Sequence, residues 1–510
     1  MLSRAIVLLV VTLVGCWPTW RLPDWDGTEG RRVQIAIEMA NSGDWLVPTL
    51  GGQPTWAKPP LHYWLLGGLV RCFGESFVLL RLPAVLAAFG AALLAGELLR
   101  RTFGARAGWV GALGIACSPM VVMQWPSAEI DPLFASLTAG SLFCLATGVA
   151  KERRGLLVAA GLLGGLALLQ KGPPYLLFAA GAWLVWWRRR GLRFPAAYFV
   201  PLLAVPLAYF VPLWTLRVAP SELLAVANEE SVGRMAFWEW SHVRSLPEFW
   251  LRAVLVQAPF VFWWFWERRR AREAHVDAGD FSLRMCNGAV VVAVVGLMFF
   301  PGRATRYLLP NVLLFMFAVA PAVAHFAAQS VLPTFARGSV LMVGVLGAVA
   351  LVTLPFLQGV GASALGLALV LALAPRVVRT PMHLVAFCLV VPFLASWTVG
   401  LERSLGWQEG PRSRVAAGRL VREQLTARGA LDDLETWGHF DSSLLLQAGL
   451  LPRGNEAQRT LPSSRWLLFE PLDPDRAPPT YKEPPTNYVE RLRLCLPFKS
   501  FSVRERVGPR

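Results

Sequence analysis

A chain of 510 residues that is 55% hydrophobic and only 16% charged lies outside the composition of soluble globular proteins, and its apolar residues fall in long runs. Its formal charge of +16 would suit nucleic acid, but the arginines gather at short turns between apolar runs: Arg153–Arg154, Arg188–Arg190, Arg268–Arg270, and Arg376 with Arg379. That is the pattern of cytoplasmic loops in a multi-span membrane protein, and it argues against a nucleic-acid-binding face.

The first apolar run, Ala5 to Trp20, follows Arg4, which places the N-terminus in the cytoplasm. Leu13-Val14-Gly15-Cys16 has the look of a lipoprotein cleavage box, but the many later spans favour a retained first helix; either way the next segment is external. The other six cysteines also lie mostly inside or beside apolar runs, so they read as small core residues and not as a disulfide framework.

From Asp24 to Trp64 the chain turns polar, with Asp24, Asp26, Glu29, Arg31, Arg32 and Lys58 close together in sequence, and it reads as a catalytic loop. Thr28 is a good N-cap, and Val33, Ala36, Ile37 and Ala40 recur at i, i+3, i+4 and i+7. The spacing predicts a short amphipathic helix that ends near Gly43 and rests its apolar stripe on the membrane or the helix bundle. Its N-terminus, beside Glu29 and Arg31, suits a phosphate or a sugar, while Glu29 equally suits satisfaction of the helix dipole. Pro59 and Pro60 fix the backbone after Lys58, so that its ammonium is held where it can meet a phosphate.

Leu61 to Phe73 is apolar, yet a crossing there would put Arg100, Arg101 and Arg106 outside and invert every later arginine cluster. It is therefore expected as a juxtamembrane or half-buried helix. Further apolar runs cover roughly 79–99, 107–124, 131–149, 155–170, 174–187, 195–216, 251–266, 285–300, 307–327, 338–357, 360–375 and 381–399. With the first run they give about thirteen spans, an inside N-terminus and an outside C-terminus.

This topology places the loop 21–78, the turn Ser127–Asp131, the turn Gln170–Pro174, the stretch Arg217–Trp250, the turn Pro301–Arg306 and everything after Leu401 on the outer face. Glu129, Asp131, Lys171, Arg303, Arg306 and Tyr307 fall there, opposite charges suited to a lipid-linked anion. Charges at helix ends also simply mark the edge of the hydrocarbon, a reading that fits Arg81, Glu129 and Arg303; Lys171, before Gly172-Pro173-Pro174, is the stronger functional candidate. Glu97, inside a span, is expected to pair with a nearby arginine. The aromatics and carboxylates of Arg217–Trp250 fit interfacial anchors better than sugar contacts. The six histidines lack ligand spacing, so no metal or cofactor is indicated.

After Trp397 the composition becomes mixed. Arg412–Thr426 and Ser442–Ala448 have helical spacing, and Arg465–Phe469 reads as a strand. The expected architecture is mainly α: a polytopic helix bundle over residues 1–400, followed by a small extracytoplasmic α/β domain over 401–510.

Four motifs, TEGRR running on to TWAKPPLHYW, then SAEIDPLFASL, GLALLQKGPPYLL and RYLLPNVLLF, occur in that order. Together they resemble the GT-C membrane glycosyltransferases of the lipid A aminoarabinose transferase and protein O-mannosyltransferase group. The resemblance covers about the first 330 residues. It implies a polyprenyl-phosphate-linked sugar as donor, a lipid, glycan or protein acceptor, inversion at the anomeric carbon, and a site at the outer face of a bacterial membrane. The group's Asp-Glu-x-Arg reads Thr28-Glu29-Gly30-Arg31 here, so the leading carboxylate is missing. Its Glu-Lys-Pro-Pro reads Ala57-Lys58-Pro59-Pro60 and keeps the lysine. Asp131, Lys171 and Tyr307 match the later motifs. The resemblance thus leaves Asp26 or Asp24, shifted along the loop, or Glu29 alone, with Asp131 in support, as the catalytic carboxylate, and implies Arg31, Lys58, Lys171, Arg306 and a hydrogen-bonding Tyr307 as ligands of the donor phosphate. A sugar-lipid-binding relative without activity is an alternative that Thr28 raises; a transporter is disfavoured because no internal hydropathy repeat is present.

Overall fold

A computed structural model describes residues 2–20, 22, 25, 28–56, 58–190, 195–217, 281–298, 305–330, 362–406, 414–429, 434–437, 466–469, 488–495 and 500–506, with single positions or short pieces between 244 and 251, between 336 and 345, and at 446. The chain folds as two units. One comprises Met1–Trp20, Leu82–Pro126 and Ile130–Glu402, and the other Arg21–Arg81, Ser127–Glu129 and Arg403–Arg510. The first loop and the C-terminal stretch thus fall in the same unit.

The first unit is helical. Its elements are α1 (Leu2–Trp20), α4 (Phe77–Phe103) beyond its first turn, α5 (Ala105–Ala116), α6 (Pro119–Gln124), α7 (Ile130–Ala150), α8 (Arg154–Lys171), α9 (Pro174–Arg190), α10 (Ala196–Leu216), α11 (Phe281–Leu297), α12 (Leu309–Ala327), α13 (Ala362–Ala372), α14 (Ala374–Val377) and α15 (Pro381–Gly406). Among the described residues eight helices are long and apolar enough to cross a membrane, and Phe281–Leu297 is a shorter apolar helix. The chain is an integral membrane protein. The expected runs 251–266 and 338–357 fall largely outside the described residues.

One expected run is interrupted for a local reason. Pro119 has no N–H to continue α5 and holds Ser118 extended, with φ −62° and ψ 133°, so α5 stops and α6 starts afresh with proline in its first turn. The core lies along α7 and α12, whose Phe143 and Phe317 rings stack 4.5 Å apart. Around them α7 packs on α8, α8 on α10, α9 on α11 and α5 on α12. Where α9 meets α11, Gly181 and Gly288 let the two backbones touch; a Cβ on either would collide with the other's carbonyl. Inside this apolar packing Ser141 donates to the Ala160 carbonyl at 2.7 Å, and its hydroxyl meets Tyr175, whose own hydroxyl meets Tyr198 at 2.7 Å. This chain of hydroxyls ties four helices together, α7, α8, α9 and α10, and pairs polar groups buried in the apolar packing. Glu97 pairs with Arg100 and Arg101 on its own helix, as expected.

In the second unit α2 (Glu29–Ser42) is the expected helix, closed by Gly43 in the left-handed region with its N–H on the Met39 carbonyl. The stripe Val33, Ala36, Ile37 and Ala40 is buried, but against protein: the first three pack with Trp25, Leu66, Leu80 and Ala128. The expected apolar helix α3 (Leu61–Phe73) forms, at 13 residues shorter than the eight candidate spans, and it packs along α2. A second face of α2, Ile35 and Met39, is buried with Leu50 and Tyr63. Between the helices, β1 (Thr49–Leu50) and β2 (Gln53–Pro54) form a hairpin whose turn residues, Gly51 and Gly52, both have positive φ. The C-terminal part carries α16 (Arg414–Thr426) and a sheet ordered β3-β4-β6-β5, from Leu434–Trp437, Trp466–Phe469, Ser500–Arg506 and Tyr488–Cys495. Of these, β3 and β4 are parallel and the other pairs antiparallel.

Candidate functional site

In the helical unit, the chemistry gathers where α7 begins, α8 ends and α12 approaches. Asp131 sits in the first turn of α7 and is buried, with its carboxylate on the Lys171 ammonium. Lys171 is the last residue of α8, and the helix stops there because Gly172 takes φ 84° and ψ −145°, a conformation only glycine adopts easily. Pro173 follows in the turn, and Pro174 starts α9. Gln170, fully buried, donates to the Ile130 carbonyl at 3.2 Å and holds the same two helix ends together. Arg306, in a short 3-10 turn (Thr305–Leu308) before α12, brings its Nε to 3.4 Å from the other Asp131 oxygen. Tyr307 lies under these cations, its ring centre 4.5 Å from Lys171 Nζ and 5.8 Å from the Arg306 guanidinium. Two cations thus flank one carboxylate at the helix ends, and fixed cations in such a place suit an anionic ligand. The tyrosine acts here through its ring face, a contact that the expected hydrogen-bonding role did not include.

The second unit holds the other group. Glu29 opens α2, yet it does not simply face the helix dipole. It is 1% exposed and forms a two-pronged pair with Arg81, 3.2 Å from Nε to Oε1 and 2.8 Å from Nη2 to Oε2. Arg81, 2% exposed, also donates to the Leu22 carbonyl at 2.7 Å and lies over the Trp25 and Phe77 rings. The edge-of-hydrocarbon reading of Arg81 is therefore replaced by that of a buried, fully engaged guanidinium. Glu29 Oε1 further accepts the Ala128 N–H at 2.6 Å, and His62 Nε2 meets the Ala128 carbonyl at 2.7 Å. Ala128 is thus held through both its N–H and its carbonyl, and the segment Ser127–Glu129 is fixed onto α2 and α3.

Thr28 stands at the N-cap of α2, but its side chain caps nothing. Its hydroxyl lies 2.7 and 2.8 Å from the two oxygens of Glu129, and its N–H donates to the first of them at 2.8 Å. A carboxylate from 101 residues away thus sits on the position where a local one was missing. Glu38, two turns further along α2, accepts from Thr49, Gly51 and Gly52 at 2.8–3.0 Å and so holds the hairpin turn. Arg32 donates to the Tyr63 hydroxyl at 3.0 Å. Arg31 and Lys58 are half-buried in this unit, Lys58 just before α3. Asp24, Asp26, Arg303 and most of Arg217–Trp250 lie outside the described residues.

A family model described as dolichyl-phosphate-mannose-protein mannosyltransferase matches residues 57–215. The undecaprenyl phosphate-alpha-4-amino-4-deoxy-L-arabinose arabinosyl transferase of Edwardsiella ictaluri is 30% identical over 206 residues, 39% of this chain and 37% of that protein. The transferase of the same name from Pseudomonas savastanoi pv. phaseolicola is 28% identical over 253 residues, 48% of this chain and 44% of that one. The matched part thus spans less than half the length of either relative. The crystal structure of ArnT from Cupriavidus metallidurans bound to undecaprenyl phosphate superposes over 100% of this chain and 99% of its own, with a TM-score of 0.69 at 17% identity. The chain shares that fold, and the resemblance read from its four motifs holds in sequence and in architecture.

Proposed function

We propose that the chain is an inverting glycosyltransferase that moves a sugar from a polyprenyl-phosphate donor to a lipid, glycan or protein acceptor at the extracytoplasmic face of a bacterial inner membrane. The observation that carries this reading is the Lys171–Asp131–Arg306 group with Tyr307 beneath it, two partly buried cations set on one carboxylate at helix ends. Displacement at the anomeric carbon builds negative charge on the departing polyprenyl phosphate. Fixed cations that gain strength as that charge grows lower the barrier without reorganising. Asp131 supports the reading by holding the Lys171 ammonium at the helix end. Lys58, stiffened by Pro59 and Pro60, and Arg31, in the other unit, keep the phosphate-binding role proposed from the sequence motifs. The relatives' names point to 4-amino-4-deoxy-L-arabinose as the first donor to try, and a pentose as its class. The C-terminal stretch 401–510 is proposed to be extracytoplasmic.

The test is turnover by the purified chain in lipid nanodiscs, with radiolabelled undecaprenyl-phosphate aminoarabinose and with polyprenyl-phosphate mannose and glucose, against a lipid and glycan extract of a bacterial envelope. Transfer of label from one of these donors is expected. Tight binding of a donor with no transfer to any acceptor would reduce the protein to a sugar-lipid-binding relative.

A further inference from the structure

We propose that Glu38 is a positioning residue for Lys58: by clamping the Gly51–Gly52 turn onto α2, it fixes the backbone from which Lys58 reaches the donor phosphate. This deepens the glycosyltransferase reading above, from which the phosphate role of Lys58 is taken, and every residue involved lies in the second unit. Glu38 is half-buried and its carboxylate is fully used. Oε1 accepts from Gln34 Nε2 at 2.9 Å and from the Gly51 N–H at 2.8 Å. Oε2 accepts from the Thr49 hydroxyl at 2.9 Å and from the Gly52 N–H at 3.0 Å. A carboxylate offers about four acceptor positions, and here all are taken, so the group holds structure and is not aimed at a substrate. Both N–H groups of a turn whose glycines have φ 62° and 76° thus end on one side chain of α2.

The clamp reaches Lys58 over few residues. Leu50 of β1 is buried with Ile35 and Met39 of α2, Thr49 pairs with Pro54, and the Thr55 N–H donates to the Pro48 carbonyl at 2.9 Å. Lys58 follows three residues after Thr55. On its other side Pro60 stands at the N-cap of α3, its carbonyl accepting the Trp64 N–H at 2.9 Å, and the Trp64 indole N–H ties α3 back to the Trp45 carbonyl at 2.6 Å. Lys58 is therefore carried between two anchors, the hairpin exit and the start of α3. A lysine side chain has much rotamer freedom to lose when it grips an anion, so its hold depends on a backbone that is already fixed. Pro59 and Pro60 stiffen one side of Lys58, and Glu38, acting through the hairpin, fixes the other.

The experiment measures binding of radiolabelled undecaprenyl phosphate to the full chain in detergent micelles. It compares wild type, Lys58→Ala, Glu38→Gln and Thr49→Val, and the last two each combined with Lys58→Ala. Glutamine at 38 keeps the size but turns an NH2 group toward N–H donors, and Thr49→Val removes one donor at a strand position that suits valine. Lys58→Ala is expected to weaken binding about 10- to 100-fold, Glu38→Gln about 5- to 10-fold and Thr49→Val about 2- to 5-fold. On the Lys58→Ala background neither change is expected to weaken binding further by more than about twofold, because a residue that acts through Lys58 has nothing left to act on. Hydrogen exchange over 45–56 is expected to rise in both single variants, which reads the loosened hairpin directly. Should Glu38→Gln not fold, Thr49→Val alone carries the comparison. Wild-type binding by Glu38→Gln, or losses that add in full to that of Lys58→Ala, would overturn the inference and leave the phosphate reading standing. Wild-type binding by Lys58→Ala would remove Lys58 from the phosphate site, and the inference with it. Absence of undecaprenyl phosphate binding by the wild type would bring down the glycosyltransferase reading itself.

Discussion

Replacing Arg81 with Leu is expected to loosen the first loop from within. The substitution leaves Glu29, 1% exposed, without the two donors at 2.8 and 3.2 Å that offset its charge, and it frees the Leu22 carbonyl. Breaking a buried pair by removing one partner costs ~3–5 kcal/mol, whereas replacing both partners by apolar groups is often close to neutral. Here the double variant Glu29→Leu with Arg81→Leu still orphans the Ala128 N–H, a residual cost of about 1–3 kcal/mol. The double variant should therefore be less damaging than Arg81→Leu alone. The assay is hydrogen exchange followed by mass spectrometry on peptides covering α2 and Ser127–Glu129, which reads local opening. The single variant should exchange faster there by about two to nearly four orders of magnitude, and the double variant should recover at least a tenth of that loss. Equal exchange in wild type and Arg81→Leu, or a double variant whose effect is the sum of the two singles, would refute the buried-pair account.

Other expectations follow from single features. Lys58→Ala should abolish transfer and weaken donor binding, and a wild-type rate in that variant would remove Lys58 from the phosphate site. Gly172→Ala forces a side chain into backbone geometry that glycine alone tolerates, at a cost of about 1–3 kcal/mol, so it should lower the melting temperature and shift Lys171 from Asp131; unchanged melting and turnover would contradict it. Asn311, in the first turn of α12, is fully buried and has no hydrogen-bond partner for either amide atom among the described residues. Asn311→Leu removes that desolvation penalty of about 1–3 kcal/mol and should raise the melting temperature in detergent; a fall would show that the amide holds something in place.

Sequence periodicity carried the local structure far. Val33, Ala36, Ile37 and Ala40 together with Gly43 determined α2, because a helix is specified by contacts within four residues and by a left-handed stop. The apolar run Leu61–Phe73 marked α3 as a short helix, because the length of an apolar run is a property of the sequence itself. The Lys171-Gly172-Pro173-Pro174 turn was legible for the same reason: each residue type has a backbone meaning of its own.

What the sequence could not assign were the partners. Glu29 finds Arg81 at 52 residues' distance and Thr28 finds Glu129 at 101, separations that no local pattern encodes. The burial that pairs Glu29 with Arg81 is a product of packing among α2, α3 and the first turn of α4. Glu38, overlooked in the sequence, has its role only because the Gly51–Gly52 turn folds back onto α2. The sequence by itself determined a membrane helix bundle, its first-loop helices and the residue types available for phosphate and acceptor. Only the tertiary structure decided which carboxylate is buried with an arginine and which is presented on Thr28, because electrostatic roles depend on what chain folding brings within about 3 Å.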